Sequence, residues 1–188
     1  FHFGLLVVFL GHLLAFLFPR ELLLWNSHPV RLLILEITGF IFGLSMLVGI
    51  VGLFIRRITH ERIRIVTTKM DIAIEILLIL QVVLGCWTAL SFRWGSSWAA
   101  FNLSPYMGSL FTFSPDITVV DTMPLVVQLH IVGAFLILLL LPFTRLVHFM
   151  VAPLDYIWRP YQQVIWNWNR KKIRGPETAW SEQRPKNN

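Results

Sequence analysis

Four stretches of this chain are each long and apolar enough to cross a lipid bilayer, and this limits the fold more than any other feature. They run approximately 1–18, 30–55, 70–92 and 124–150. A hydrocarbon core of roughly 30 Å needs about 20 apolar residues in a helix. In lipid every backbone N–H and C=O must be bonded inside the protein, which a helix achieves by itself. With 56% of 188 residues hydrophobic and a mean hydropathy of +0.67, too little polar side chain remains to cover a soluble core. The expected fold is all-α: a polytopic membrane helical bundle with four transmembrane helices. A membrane domain over 1–152 is followed by a short tail over 153–188.

The formal charge of +6 raises the question of nucleic acid, but the placement of the charge points elsewhere. Arg56, Arg57, Arg62, Arg64 and Lys69 fill the second loop. Arg145, Arg159, Arg170, Lys171, Lys172, Arg174, Arg184 and Lys186 end the last span and fill the tail. The first loop has only Arg20 and Arg31, and the third only Arg93. Basic residues stay on the cytoplasmic side of a bilayer. The chain is therefore expected in the cell (inner) membrane, with the second loop and the C-terminus cytoplasmic. This basic face is either a docking surface for a partner or a site of attraction to anionic membrane lipid. The single cysteine, Cys86, excludes an internal disulfide and any all-cysteine cluster held by this chain alone. Nothing resembles a cleavable signal peptide. The chain opens at Phe1 directly into an apolar helix without a basic flank, so at least one preceding element is expected.

Pro29 follows His28 and suits the first turn of the second span. Gly39 and Gly43 lie four apart on that span, a spacing expected to carry helix–helix contact in lipid. The third loop, 93–123, is long and aromatic, with Trp94, Trp98, Phe101, Tyr106, Phe111 and Phe113. It reads as a functional cap or as an interfacial aromatic belt, and the two are compatible. The tail carries Trp158, Trp166, Trp168 and Trp180 among basic residues and prolines, and is too polar to span again.

Polar side chains inside a bilayer are costly and tend to mark function. Four of the six histidines lie in or at the ends of spans: His2 and His12 on the first, His130 and His148 on the last. One such histidine alone is more often a hydrogen-bonded bundle residue. Here the arrangement is informative. The first span runs outward and the last inward, and His12 and His130 each lie six residues from the outer end. At about 1.5 Å per residue both sit about 9 Å from that end, at one depth, as two axial ligands of one haem iron require. His2 and His148 remain near the cytoplasmic ends as a second pair, so two haem b sites are expected. The inner pairing fits a straight helix poorly, because His2 to His12 spans roughly 15 Å and His130 to His148 roughly 27 Å. Pro142 is expected to kink the last span between them. His60, among arginines, reads as solvated surface. His28 and Arg31 lie on the outer side, where they either line a pocket or flank the second span.

The segments FHFGLL and GHLLAF, the stretch RRITHERIRIVTTKMDI, the loop SLFTFSPD, and QLHIVGAF followed by PFTRLVHF resemble the gamma subunit of respiratory nitrate reductase. The resemblance runs in order from Phe1 to about Tyr156. It implies a membrane cytochrome b of a molybdenum enzyme, with five spans in the complete protein. It implies that His2 and His148 ligate the inner haem iron and His12 and His130 the outer one. It also implies a quinol site beside the outer haem, near Gly11 and His12. That family has a lysine in the loop after this helix. Here Arg31 is the nearest basic residue, in imperfect register, with His28 close by.

The expected function is thus oxidation of quinol, or menaquinol, near the outer face. Electrons pass through two bis-histidine haems to a cytoplasmic iron–sulfur subunit and a molybdenum catalytic subunit. A related cytochrome b of a sulfur-metabolism or heterodisulfide-reductase-like complex, or quinone reduction with reversed flow, is the alternative within the same class. A haem-free membrane anchor or transporter is the alternative from another class, and Glu36 within the second span would suit it.

Overall fold

The structure, a computed structural model, describes residues 1–149 and 158–161. The chain divides into two units, Phe1–Met150 and Val151–Asn188. The sequence expectations for Trp166, Trp168, Trp180 and Lys171 lie outside the described residues.

The first unit is helical throughout. Helix α1 (His2–Leu17) stops where Pro19 forces Phe18 out of the helical region, to φ −130° and ψ 56°. Pro19 then opens α2 (Pro19–Asn26), and α1 and α2 meet at a bend of 105°. The same use of proline at a first turn starts α3 (Pro29–Thr59) after His28. A short α4 (Glu61–Ile65) crosses the basic loop. Helix α5 (Lys69–Ser91) opens on a capping box, in which Thr68 and Asp71 satisfy each other's backbone N–H groups at 2.9 and 3.2 Å. Among the described residues, α3, α5 and Leu125–Phe143 are each long and apolar enough to cross a membrane, and α1 with α2 meets the same test as a bent pair. Alone, α1 has 16 residues, about a turn short of the usual 20.

The long third loop is itself helical. It consists of α6 (Gly95–Trp98), a π-helical turn (Ala99–Leu103), α7 (Ser104–Phe111) and α8 (Thr118–Asp121). It lies over one end of the bundle, and Ser104 Oγ donates to the carbonyl of Ala15 at 3.0 Å. Phe101, Phe111 and Phe113 point outward, Phe113 being 95% exposed, which suits an aromatic belt on the outside of a cap.

The last span departs from the sequence expectation. Helix α9 (Leu125–Leu140) ends well before Met150. Pro142 lacks the N–H that would continue the helix, so the chain tightens into a 3-10 turn (Leu141–Phe143) and then breaks. Thr144 is extended, with φ −123° and ψ 170°, and a second 3-10 turn (Arg145–Phe149) carries His148. Pro142 ends the helix instead of kinking it.

Helix α1 packs on α3, α3 on α5, and α5 on α9, while α1 and α9 are not among the closely packed pairs. The α1–α3 approach is made at Gly4, where a Cβ would stand 2.8 Å from the carbonyl oxygen of Phe42, with Phe3 and Phe42 stacked edge to face alongside. The expected Gly39–Gly43 contact is only half present. Gly43 faces Cys86 Sγ across α3 and α5, but Gly39 faces open space. Packing is also inverted relative to a soluble domain. Val48 is 74% exposed, while the carboxylates Asp71 and Glu75 are 6% and 7% exposed. Lipid solvates the apolar surface of such a bundle, and the charges turn inward to meet partners.

Candidate functional site

Helices α1 and α9 each present one histidine to the gap between them. The rings of His12 and His130 lie 6.4 Å apart, centroid to centroid, with their planes at 47°. His12 Nδ1–H donates to the carbonyl of Val8 at 2.8 Å, one turn back on its own helix. His130 Nδ1–H donates to the carbonyl of Gln81 at 3.1 Å, across to α5. A carbonyl only accepts, so each Nδ1 carries a proton, and in the neutral form of each ring Nε2 is the nitrogen with the lone pair.

This pair meets the requirements of an axial ligand set. A metal sits about 2 Å from each imidazole nitrogen, and about 1 Å more separates nitrogen from ring centre, so two ligands of one iron have centroids about 6 Å apart. The spacing of His12 and His130 is that of two imidazoles with a metal between them. Their Nδ1–H groups are already committed to carbonyls, the outer hydrogen bonds that orient metal-bound histidines. Among the described residues no cluster of three or more His, Cys, Asp or Glu side chains is placed to hold a metal by itself. A haem fits, because it asks the protein for two axial donors and supplies the rest.

The second histidine pair is not brought into contact. His2 stacks edge to face on Phe1 at 5.1 Å, and His148 Nδ1–H donates to the carbonyl of Arg145 at 2.6 Å. Among the described residues no ring contact or hydrogen bond joins them. Helix α9 and its extension are tied to α5 at two levels, His130 to Gln81 and Arg145 to Asp71. Ten residues of α5 separate those levels, about 15 Å.

The end of the bundle where α3 leads into α5 is held by a group of charges. Arg57 Nε lies 2.6 Å from Glu75 Oε2, its other arm lies 4.0 Å from Asp71, and Arg145 Nε lies 3.3 Å from Asp71 Oδ1. Arg145 also donates to the carbonyl of Val66 at 3.0 Å. Two cations thus balance two buried carboxylates.

At the opposite end the proposed pocket residues are dispersed. Gly11 faces open space, and His28 is the exposed residue before α3. Arg31 lies over the Trp25 ring at 5.3 Å, a cation–π contact. Glu36 accepts from the Ser96 backbone N–H and hydroxyl at 3.3 and 3.1 Å, and Asn26 donates to Ser96 and Ser97 at 3.1 and 3.0 Å. An open groove of about 650 Å³ beside the α1–α2 bend is lined by Phe16, Pro19, Arg20, Leu23, Phe101 and Ser104, among others. Arg20 is the cation in this groove, which the sequence reading passed over in favour of Arg31.

A helical bundle with spans long and apolar enough to cross a membrane, bringing one imidazole from each of α1 and α9 face to face, is the architecture of a polytopic membrane protein. Residues 1–167 match the nitrate reductase gamma subunit family. The chain is 36% identical over 168 residues to the respiratory nitrate reductase 2 gamma chain of Escherichia coli (strain K12), covering 87% of this chain and 74% of that one. It is 31% identical over 165 residues to the nitrate reductase gamma chain of Bacillus subtilis (strain 168), covering 86% and 74%. The nitrate reductase-like protein NarX of Mycobacterium tuberculosis (strain ATCC 25618 / H37Rv) is 31% identical over 173 residues, which are 86% of this chain and 26% of that longer protein. This chain belongs to the nitrate reductase gamma subunit family.

Proposed function

We propose that this chain is the di-haem cytochrome b subunit of a nitrate reductase-type complex, oxidising quinol near the outer face of the cell membrane. The electrons go inward to a cytoplasmic iron–sulfur subunit and through it to a molybdenum subunit that reduces the terminal substrate. The observation that carries this reading is the His12–His130 pair, 6.4 Å between ring centroids with both Nδ1–H groups bonded to carbonyls. Family membership supports the nitrate reductase-type partners.

In this reading His12 and His130 hold the outer haem b, and His2 and His148 hold the inner one. Bound between such imidazoles, haem b supplies a one-electron carrier whose potential follows its ligands and their hydrogen bonds. The chain's own residues do the rest. Helices α1 and α9 set the ligands at matching depths. The α6–α8 cap covers the outer end and excludes water. Gly11, which leaves space beside His12, gives quinol its approach to the outer haem, and His28 and Arg31, which lie apart from it at the head of α3, are the further quinol contacts. Arg31 offers a cation to a quinol oxygen as its proton leaves. On the inner side, Arg56, Arg62, Arg64 and Lys69 surround α4 and form the docking face for the iron–sulfur subunit, beside the Arg145–Asp71 pair.

The reading is tested by a reduced-minus-oxidised optical spectrum and haem counting on the purified complex. His12→Ala and His130→Ala should each reduce two haems b to one and remove the same spectral component. His2→Ala and His148→Ala should remove the other. Loss of different components on substituting His12 and His130 would refute the pairing.

A further inference from the structure

We propose that Gln81 is the positioning residue of the outer haem site, locking His130 in its ligating orientation from the neighbouring helix. This rests on the haem reading above and goes beyond it, because Gln81 lies on α5, which supplies no ligand.

Residues 81 and 130 are joined twice, in opposite directions. The Gln81 side-chain Nε2 donates to the backbone carbonyl of His130 at 2.9 Å. The Gln81 backbone carbonyl accepts from the His130 ring at 3.1 Å. One residue therefore holds both the main chain and the imidazole of the ligand. The orientation of the amide is set by its partner, since the His130 carbonyl can only accept and so draws the NH2 group.

Two glycines make room for this clamp. A Cβ at Gly85 would stand 3.0 Å from His130 Cε1, so the ring lies directly on the backbone of α5 and can reach a carbonyl in mid-helix. A Cβ at Gly133 would run into Gln81 Oε1. That oxygen is buried and makes no hydrogen bond. Leaving a buried amide oxygen without a donor forfeits its hydration with nothing in return. Gln81 holds its pose despite that cost, because the pose places its Nε2 on His130. By contrast, the hydrogen bond that the His12 ring gives goes to its own helix, so the tie from a neighbouring helix is on the His130 side.

The electronic consequence follows from the Nδ1 bond. A carbonyl drawing on Nδ1–H makes the imidazole a stronger donor at Nε2 and favours ferric iron, which lowers the potential. The angle between the two ring planes, here 47°, sets the low-field g value of a low-spin bis-histidine ferric haem. Gln81 acts on both quantities through His130 alone.

The experiment is redox-titrated EPR on the intact complex carrying Gln81→Met or, separately, Gly133→Ala. Met has similar length without the donor. Ala at 133 displaces an unchanged Gln81, which keeps the test valid if Gln81→Met fails to assemble. Both variants keep the backbone carbonyl that accepts the His130 Nδ1–H and lose the side-chain hold on His130. They should therefore retain two haems and move the low-field g value of the outer haem, with the inner haem unchanged. An unaltered outer-haem signal in both variants would overturn the proposal. So would equal shifts of both haems, which indicate general loosening of the bundle. Absence of any His12- and His130-dependent haem from the unsubstituted complex would instead overturn the haem reading, and this inference with it.

Discussion

Arg145 Nε lies 3.3 Å from Asp71 Oδ1, and this pair joins the broken end of the last span to the first turn of α5. The other oxygen of the same carboxylate, Oδ2, accepts the Thr68 N–H that begins α5. Asp71 is therefore both a helix cap and a tether for the turn that carries His148. The carbonyl of Arg145 accepts the His148 Nδ1–H, so the tether extends to that imidazole.

Asp71→Asn keeps the shape and removes the charge. Breaking a fully buried pair costs about 3–5 kcal/mol. Here the Arg145 side chain is 64% exposed and regains water, so a smaller loss, about 1–3 kcal/mol, is expected. Thermal unfolding in detergent should show it. The inner b-type component should shift or decline while the outer one persists. Equal loss of both components would assign Asp71 to general stability alone.

The α1–α3 contact can be tested at its closest point. A Cβ at Gly4 would meet the Phe42 carbonyl at 2.8 Å and Met46 N at 3.1 Å, and both are backbone atoms of a packed helix. Gly4→Ala should cost about 1–3 kcal/mol through overpacking. Gly39→Ala meets nothing within 4 Å and should be neutral or stabilising by up to about 1 kcal/mol. Comparing the two melting temperatures checks the claim, and a more damaging Gly39→Ala would contradict it.

Asp116 offers a pH-dependent element outside the spans. Thr118 Oγ1 donates to its carboxylate at 2.6 Å and Thr118 N–H at 3.1 Å. These bonds, the hydroxyl one first, hold its pKa below the ordinary value of 3.8. The folded pKa is depressed, so the stability gained is complete above 3.8 and is lost as pH falls through the lowered value. Thr118→Ala should raise the Asp116 pKa toward 3.8, read by NMR titration of the carboxyl carbon. The stabilities of the variant and the unsubstituted chain should converge at low pH.

Quinol oxidation at the outer face should move charge across the bilayer. Each electron crossing the full potential works against about 2.3 kcal/mol per 100 mV. Proteoliposomes containing a potential-sensitive dye should therefore register turnover. Arg31→Ala should slow quinol-dependent haem reduction about tenfold, the loss of one charge-assisted hydrogen bond of about 1.4 kcal/mol. Turnover without a potential, or an unchanged rate in that variant, would place the quinol site elsewhere. The Arg20 groove is the next place to probe.

Much of the site was legible because depth in a bilayer is nearly a one-dimensional quantity. His12 and His130 each lie six residues from the outer end, and counting residues put them at one level. Gln81 carried a signal as well, a lone amide in an apolar span, but its partner on another helix was not visible by counting. The pairings of Asp71 with Arg145 and of Glu75 with Arg57 were hidden for the same reason.

The length and composition of the apolar runs alone determined that this chain is a bundle of membrane helices, because a run of about 20 apolar residues crosses lipid as a helix that closes its own backbone hydrogen bonds. Proline positions determined where α2 and α3 start, since the ring both presets φ and removes a donor. Tertiary structure decided what those local rules leave open. It ended the last span at Leu140 and let Thr144 turn the chain, where counting had projected a continuous helix. It chose Gly4 over Gly39 as the close contact, because a glycine matters only where a neighbour arrives. It also set His130 against α5, where Gln81 holds both its main chain and its ring. Such relations depend on how helices rotate about their axes, and rotation is set by packing partners distant in sequence.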